Sequence, residues 1–241
     1  MKSRFNKILS SKSGKLGALR VNLLRAIRSE DYLGKSIYEE QGRLNCKQLA
    51  NLKLGRKDVF FQTDRRDEEN SAISFMVDLS CSMEGFYIQT ATEVVVQMAN
   101  IISKTNSIST VVGYKDMGCL KLTVFKGWNE RLNSKTKEQI ADMRSYVDGS
   151  TPIVDAYRWQ LRNLDKVNAF KKIAVFITDD AVGSDKKAFN HFTKVAEQMG
   201  IYPIIIEIDG RYRSDIKNLV AVKEIDDLGK AVMGNILRGL K

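Results

Sequence analysis

Short runs of consecutive apolar residues alternate with stretches in which apolar positions recur every three or four residues. From Ser71 onward that alternation governs the chain. Residues 72–79 (AISFMVDL), 172–178 (KIAVFIT) and 201–208 (IYPIIIEI) are nearly unbroken apolar runs, the pattern of strands covered on both faces. Residues 109–114 (STVVGY) and 121–125 (KLTVF) are strand-like, and 220–222 is a short further strand. Between them, Ile88, Ala91, Val94, Val95, Met98, Ala99 and Ile102 recur at helical spacing. Helices are also predicted over 136–146, over 153–164 behind Pro152, over 186–199 with a stop at Gly200, and over 226–237. Pro203 has no N–H to donate, so the third buried strand is expected to begin just after it. Strands alternating with helices predict an α/β three-layer sandwich with a mostly parallel central sheet.

The first 70 residues read differently. Apolar positions at Leu16, Leu19, Leu23, Leu24 and Ile27 predict one helix, and a second short one fits 45–54. Residues 55–70 (GRKDVFFQTDRRDEEN) are dense in charge around Val59, Phe60 and Phe61, a linker with an edge strand at 58–62. The expected division is therefore a helical, basic N-terminal extension and linker, 1–70, followed by the main domain, 71–241.

Charge sharpens that division. The chain carries +10 over 241 residues. Lys2, Arg4, Lys7, Lys12, Lys15, Arg20, Arg25 and Arg28, with no acid before residue 30, account for +8 of it. The main domain is thus near neutral. The head can be a solvated extension, an arm for an anionic partner such as nucleic acid (residues 1–29), or a transit peptide. No run of about 18 uncharged apolar residues is present, so no membrane span is predicted. Three widely spaced cysteines, Cys46, Cys81 and Cys119, read as reduced thiols, which points to a cytoplasmic location.

Candidate chemistry lies beyond the carboxyl ends of the buried strands, where open α/β sheets bind ligands. Asp78-Leu79-Ser80-Cys81-Ser82 follows the first buried strand and Thr178-Asp179-Asp180 the second, with Gly149-Ser150-Thr151-Pro152 just before a helix. Asp78, Ser80 and Ser82 share parity, so in extended chain their oxygens point the same way. Thr151 and Asp179 would join them from neighbouring loops. Three hydroxyls and two carboxylates, without His or Cys, suit Mg²⁺ or Mn²⁺ and leave room for water and an incoming oxygen. Each residue has a plainer role as well: Ser80 and Ser82 as caps of the following helix, Thr151 as an N-cap, Asp155 as a helix-start charge, Asp180 and Asp185 as solvated acids.

Asp78-x-Ser80-x-Ser82, Thr151 and Asp179, in this order, resemble the metal-ion-dependent adhesion site of von Willebrand factor A domains. The resemblance covers about residues 72–237. Cys81 and Asp180 stand where that family usually has glycine. Residues 42–60 and the charged run after them further resemble the cobaltochelatase CobT-type subunit. The resemblance implies a protein-binding adaptor, not an enzyme. A Mg²⁺ or Mn²⁺ ion held by Asp78, Ser80, Ser82, Thr151 and Asp179 would engage an acidic residue of a protein partner. That partner would be an AAA+ ATPase in a cobaltochelatase-like complex. The alternative is nucleic-acid binding through the basic arm.

Other chemistries lack their parts. His191 is the one histidine and is expected on a helix away from the rim, which argues against a Ser/His/Asp or Cys/His relay. There is no G-x-x-x-x-G-K-[ST] and no G-x-G-x-x-G after a strand. Metal-assisted phosphoryl hydrolysis would need a general base that the sequence does not supply. Trp128, Trp159 and the other aromatics are scattered and make no stacking platform.

Overall fold

A computed structural model describes residues 3–11, 34–39, 43–44, 60–64, 71–179, 186–208 and 219–222. The chain forms two compact units, one of residues 28–69 and one of residues 1–27 with 70–241. This cut differs from the expected one at residue 70. The reason is a short helix, α1 (Arg4–Ser11), whose Phe5 is wholly buried in the core of the main unit. The segment read as a possible solvated extension thus begins with a packed element. The expected helices over 16–28, 45–54 and 226–237 lie outside the described residues.

The smaller unit contains a three-stranded antiparallel sheet of β1 (Gly34–Glu39), β2 (Arg43–Leu44) and β3 (Phe60–Asp64), in the order β1-β3-β2. The strand expected at 58–62 therefore sits two residues later. It is the middle strand of its own sheet, paired on both sides, rather than an edge of the main one.

The main unit follows the predicted alternation: β4 (Ser71–Asp78), α2 (Phe86–Ile102), β5 (Ile108–Asp116), β6 (Leu120–Lys126), α3 (Ser134–Ala141), α4 (Ile153–Asp165), β7 (Lys171–Thr178), α5 (Lys186–Gln198), β8 (Ile201–Ile208) and β9 (Leu219–Val222). The sheet order is β6-β5-β4-β7-β8-β9, parallel throughout except for the antiparallel edge strand β6. β4 lies at the centre, and all eight of its residues are buried. Its side chains alternate between two cores. Ile73, Phe75 and Val77 pack with α1, α2 and α3 on one face; Ala72 and Met76 pack with α4 and α5 on the other. A strand covered on both sides has to be apolar at nearly every position, which is why it reads as an unbroken run.

Two local expectations are corrected. The single helix expected over 136–146 is α3 plus a 3₁₀ turn at Met143–Tyr146. Asn133 starts it, accepting the Thr136 N–H at 2.9 Å. Pro203 lies within β8, which begins two residues before it. There Pro203 pairs with Ala174 of β7, whereas β9 joins β8 only from Ile205 onward. A missing N–H is tolerated where the strand has one neighbour at that level.

Candidate metal centre

Counted from β4, the strand order is 3-2-1-4-5-6, that of a doubly wound sheet. The chain leaves β4 and β7, which are neighbours, in opposite directions across the sheet. The crevice between their carboxyl ends is the topological switch point. Asp78 ends β4 and Thr178-Asp179 ends β7, so the fold alone brings the first and last of the five predicted residues together.

Asp78 is wholly buried, and both of its carboxylate oxygens are occupied. Oδ1 accepts the Ser80 N–H at 2.8 Å. Oδ2 accepts the hydroxyls of Tyr114 at 3.0 Å and Thr178 at 2.8 Å. Its first bond turns the backbone so that Ser80 keeps an extended conformation (φ −66°, ψ 162°) before a 3₁₀ turn at Cys81–Met83. Ser80 Oγ and Ser82 Oγ then lie 3.0 Å apart, and Ser82 Oγ donates to Asp179 Oδ1 at 3.1 Å. The serines converge as their parity suggested, but through a turn rather than along extended chain. Neither hydroxyl caps α2, whose N-cap is Gly85 with no side-chain bond.

Thr151 arrives by backbone stitching. The loop that carries it is sewn to the Asp78 turn by Asp148 N–H to Leu79 O at 2.8 Å and by Cys81 N–H to Gly149 O at 3.0 Å. Gly149 holds φ +80°, and a Cβ there would stand 2.2 Å from the Asp116 carbonyl, so only glycine lets the loop pass this close. The N-cap of α4 is Pro152, which leaves the Thr151 hydroxyl outside the helix start. Asp78, Ser80, Ser82 and Asp179 thus share one hydrogen-bonded chain. Thr151 shares the loop cluster but is joined to it through main-chain atoms two residues away.

Sequence reasoning missed Tyr114, and it placed Thr178 in the rim segment without giving it a role. Both end apolar runs on the strands flanking β4, and the register places Tyr114 opposite Asp78. The hydroxyl that closes each apolar run, Tyr114 two residues before the end of β5 and Thr178 at the end of β7, is the signal that could have identified them. Other expectations land as follows. Asp155 is exposed in the first turn of α4, 3.5 Å from Arg158. His191 is exposed on α5. Trp128 donates to Asn163 Oδ1 at 2.9 Å, and Trp159 packs against the second core. Asp180, Asp185 and Cys46 lie outside the described residues, while Cys81 and Cys119 are exposed free thiols.

Burial raises the Asp78 carboxyl from the ordinary 3.8 to about 6, against the pull of the bonds from Ser80, Thr178 and Tyr114. Tyr114 is pushed well above its usual value, by burial first and by the Asp78 charge next. Because the folded Asp78 binds its proton more tightly than the unfolded one, its contribution to stability is fully present below pH 4 and is lost as pH rises through about 6. In EDTA the protein is expected to lose up to about 3 kcal/mol across that window from this group. Urea unfolding at successive pH values, followed by the fluorescence of Trp128 and Trp159, measures it.

Among the described residues no group of three or more His, Cys, Asp or Glu side chains could hold a metal ion. The fit of a cation therefore rests on hydroxyl oxygens. In a Mg²⁺ octahedron with bonds of about 2.0–2.1 Å, adjacent ligands stand about 2.9 Å apart. The Ser80–Ser82 and Ser82–Asp179 hydrogen bonds, 3.0 and 3.1 Å, hold these oxygens at separations compatible with such an edge. Hydroxyl and carboxylate oxygens are the donors a hard divalent ion takes.

No family model and no curated protein matches the chain. Its fold is shared with solved structures. The PilB minor pilin from Streptococcus sanguinis aligns at 15% identity and a TM-score of 0.52, over 74% of this chain and 63% of that one. The pilus adhesin SpaC from Lactobacillus rhamnosus GG aligns at 13% identity and a TM-score of 0.51, over 73% of this chain and 31% of that one. The SpRpn10 VWA domain aligns at 16% identity and a TM-score of 0.49, over 68% of this chain and 94% of that one. The chain thus spans under two thirds of the PilB structure and under one third of SpaC. These are likenesses of fold. The layers and strand order define a three-layer, doubly wound α/β sandwich with a mostly parallel central sheet, a fold shared with the PilB and SpaC structures.

Proposed function

We propose that this chain is a divalent-metal-dependent protein-binding module and not an enzyme. One observation carries this reading: a hydrogen-bonded chain of Asp78, Ser80, Ser82 and Asp179 at the switch point of the sheet. Ser80, Ser82, Thr151 and Asp179 would hold Mg²⁺ or Mn²⁺, with Asp78 fixing the Ser80 turn from below. With one carboxylate at the rim and one beneath it, the ion keeps its appetite for a further anionic oxygen. A Glu or Asp side chain of a protein partner supplies it. The cobaltochelatase resemblance makes an AAA+ ATPase the first partner to try.

Magnesium titration with thermal melting tests the reading. An ion that binds only the folded state, at a hundredfold excess over its Kd, stabilises by about 2.7 kcal/mol. The Ser82→Ala/Asp179→Asn double variant is expected to lose that gain. Neither residue is in the core, so the fold stays intact. Equal stabilisation of variant and wild type removes the metal site.

A second reading rests on the eight basic residues before residue 30, which would contact nucleic-acid phosphates. It requires an affinity that falls steeply with salt and with replacement of Lys12, Lys15, Arg20 and Arg25 by Gln.

A further inference from the structure

A cavity of about 570 Å³ opens in the main unit between α1, the first half of α2 and the 3₁₀ turn at Met143–Tyr146. Small-molecule sites occupy roughly 300–1,000 Å³, so the size is that of a ligand site. Its walls carry opposite charge. α2 and its lead-in supply Glu84 and Glu93 and no base; α1 and the 3₁₀ turn supply Arg4 and Arg144 and no acid. Glu93 is the one charged residue of α2 and is only 9% exposed, in a helix whose other buried side chains are mostly apolar. Gln89, one turn earlier on the same wall, donates to Glu93 Oε1 at 3.3 Å. Neither arginine is paired with a glutamate across the cavity. Arg4 gives its ion pair to Asp142 at 2.9 Å, and Ser145 Oγ donates to the other oxygen of that carboxylate at 2.7 Å. Asp142 thus fastens α1 to the 3₁₀ turn and fixes the basic wall. Arg144 is exposed and makes no ion pair among the described residues. Between the charges, Ile8, Ile88 and Val147 line the cavity with apolar surface.

We propose that this cavity binds a small zwitterion with an apolar side chain, an α-amino acid or a short peptide. The ligand's ammonium goes to Glu93 on the acidic wall and its carboxylate to Arg144 on the basic one. Its side chain covers Ile8, Ile88 and Val147. The guanidinium presents a fork of donors that matches a carboxylate. A ligand with one charge serves one wall and leaves the other without its counter-ion, so the site discriminates by requiring both. The cavity shares no residue with the hydroxyl cluster, and binding here requires no metal.

The test is isothermal titration calorimetry of the full chain in EDTA, with L-leucine, L-phenylalanine and L-leucyl-L-leucine as probes. The tightest probe is then compared with its two singly charged forms, the carboxamide and the N-acetylated acid. Each is expected to bind about tenfold more weakly, the loss that goes with one charge-assisted contact. Arg144→Gln is expected to weaken the zwitterion about tenfold and to leave the carboxamide unchanged. Arg144 is exposed, so the ligand-free variant should melt with the wild type. Tighter binding of a free amino acid or of the dipeptide supports the proposal and tells which source the site serves. Three outcomes overturn it: no probe binding more tightly than about 1 mM, equal affinity for the zwitterion and both singly charged forms, or undiminished binding of the zwitterion to Arg144→Gln.

Discussion

In metal-free protein at pH 7, Asp78→Asn is expected to be more stable than the wild type, by up to about 3 kcal/mol. The wild-type carboxylate is wholly buried, and its pKa near 6 means that ionisation at neutral pH works against the fold. Asparagine keeps the shape and the acceptor for the Ser80 N–H. Its amide turns two donors toward Tyr114 and Thr178, whose hydroxyls can rotate to accept. The gain is smaller to the extent that those hydroxyls lose donor bonds. On the metal reading proposed above, the same substitution is expected to abolish most of any Mg²⁺ stabilisation, because the charge that burdens the metal-free fold would be the one that attracts the ion. Urea titration in EDTA and in Mg²⁺ measures both. Asp78→Ala behaves differently: it strands three donors and leaves a cavity, and so gives no gain in EDTA. If the Asn variant is the weaker protein in EDTA at pH 7, Asp78 is serving the fold and its charge is well paired. A site whose polar groups cost the apo fold and are repaid by ligand is a common arrangement for function set against stability.

How much of this was legible in the sequence follows from the range of each interaction. Ala72–Val77 reads as a buried strand because both faces of β4 are covered, a property each residue carries on its own. Asp78, Ser80 and Ser82 are near neighbours, so their grouping could be read locally. Asp179 became a candidate because ligands bind beyond the carboxyl ends of buried strands, and Thr151 because its loop, just before a helix, was expected on the same rim. The bonds of Tyr114 and Thr178 to Asp78 stayed hidden because a hydroxyl that ends an apolar run shows its partner only once the register is fixed. Pro203 was misplaced for the same reason. Its cost depends on whether β9 reaches that level of the sheet, which no local pattern encodes. The head was read from its charge, whereas Phe5, one aromatic among lysines and arginines, decides where its first helix sits.

Phe5→Ala is therefore expected to destabilise the main unit by about 3–5 kcal/mol, the usual loss when a buried phenylalanine is truncated. Phe5 is wholly buried on α1, together with the partly buried Ile8 and Leu9, against the core beneath α2 and α3. The Lys137 ammonium stands 5.6 Å over its ring. Arg4 adds an ion pair to Asp142 at 2.9 Å, but both side chains are more than a third exposed, so that pair contributes little. The apolar contact is what holds the helix. Urea unfolding read through Trp128 and Trp159, both in the main unit, measures the loss; a change within about 0.5 kcal/mol would mean that α1 rides on the surface. The outcome bears on function as well. Deleting residues 1–29 would remove a core element along with the positive charge, so lost nucleic-acid binding in a truncated protein could reflect a loosened fold. Neutralising Lys12, Lys15, Arg20 and Arg25 while keeping Phe5 separates the two, because it removes positive charge and leaves the Phe5 contact in place. A wild-type salt slope in that charge-neutralised protein would place any nucleic-acid contact elsewhere than in those four side chains.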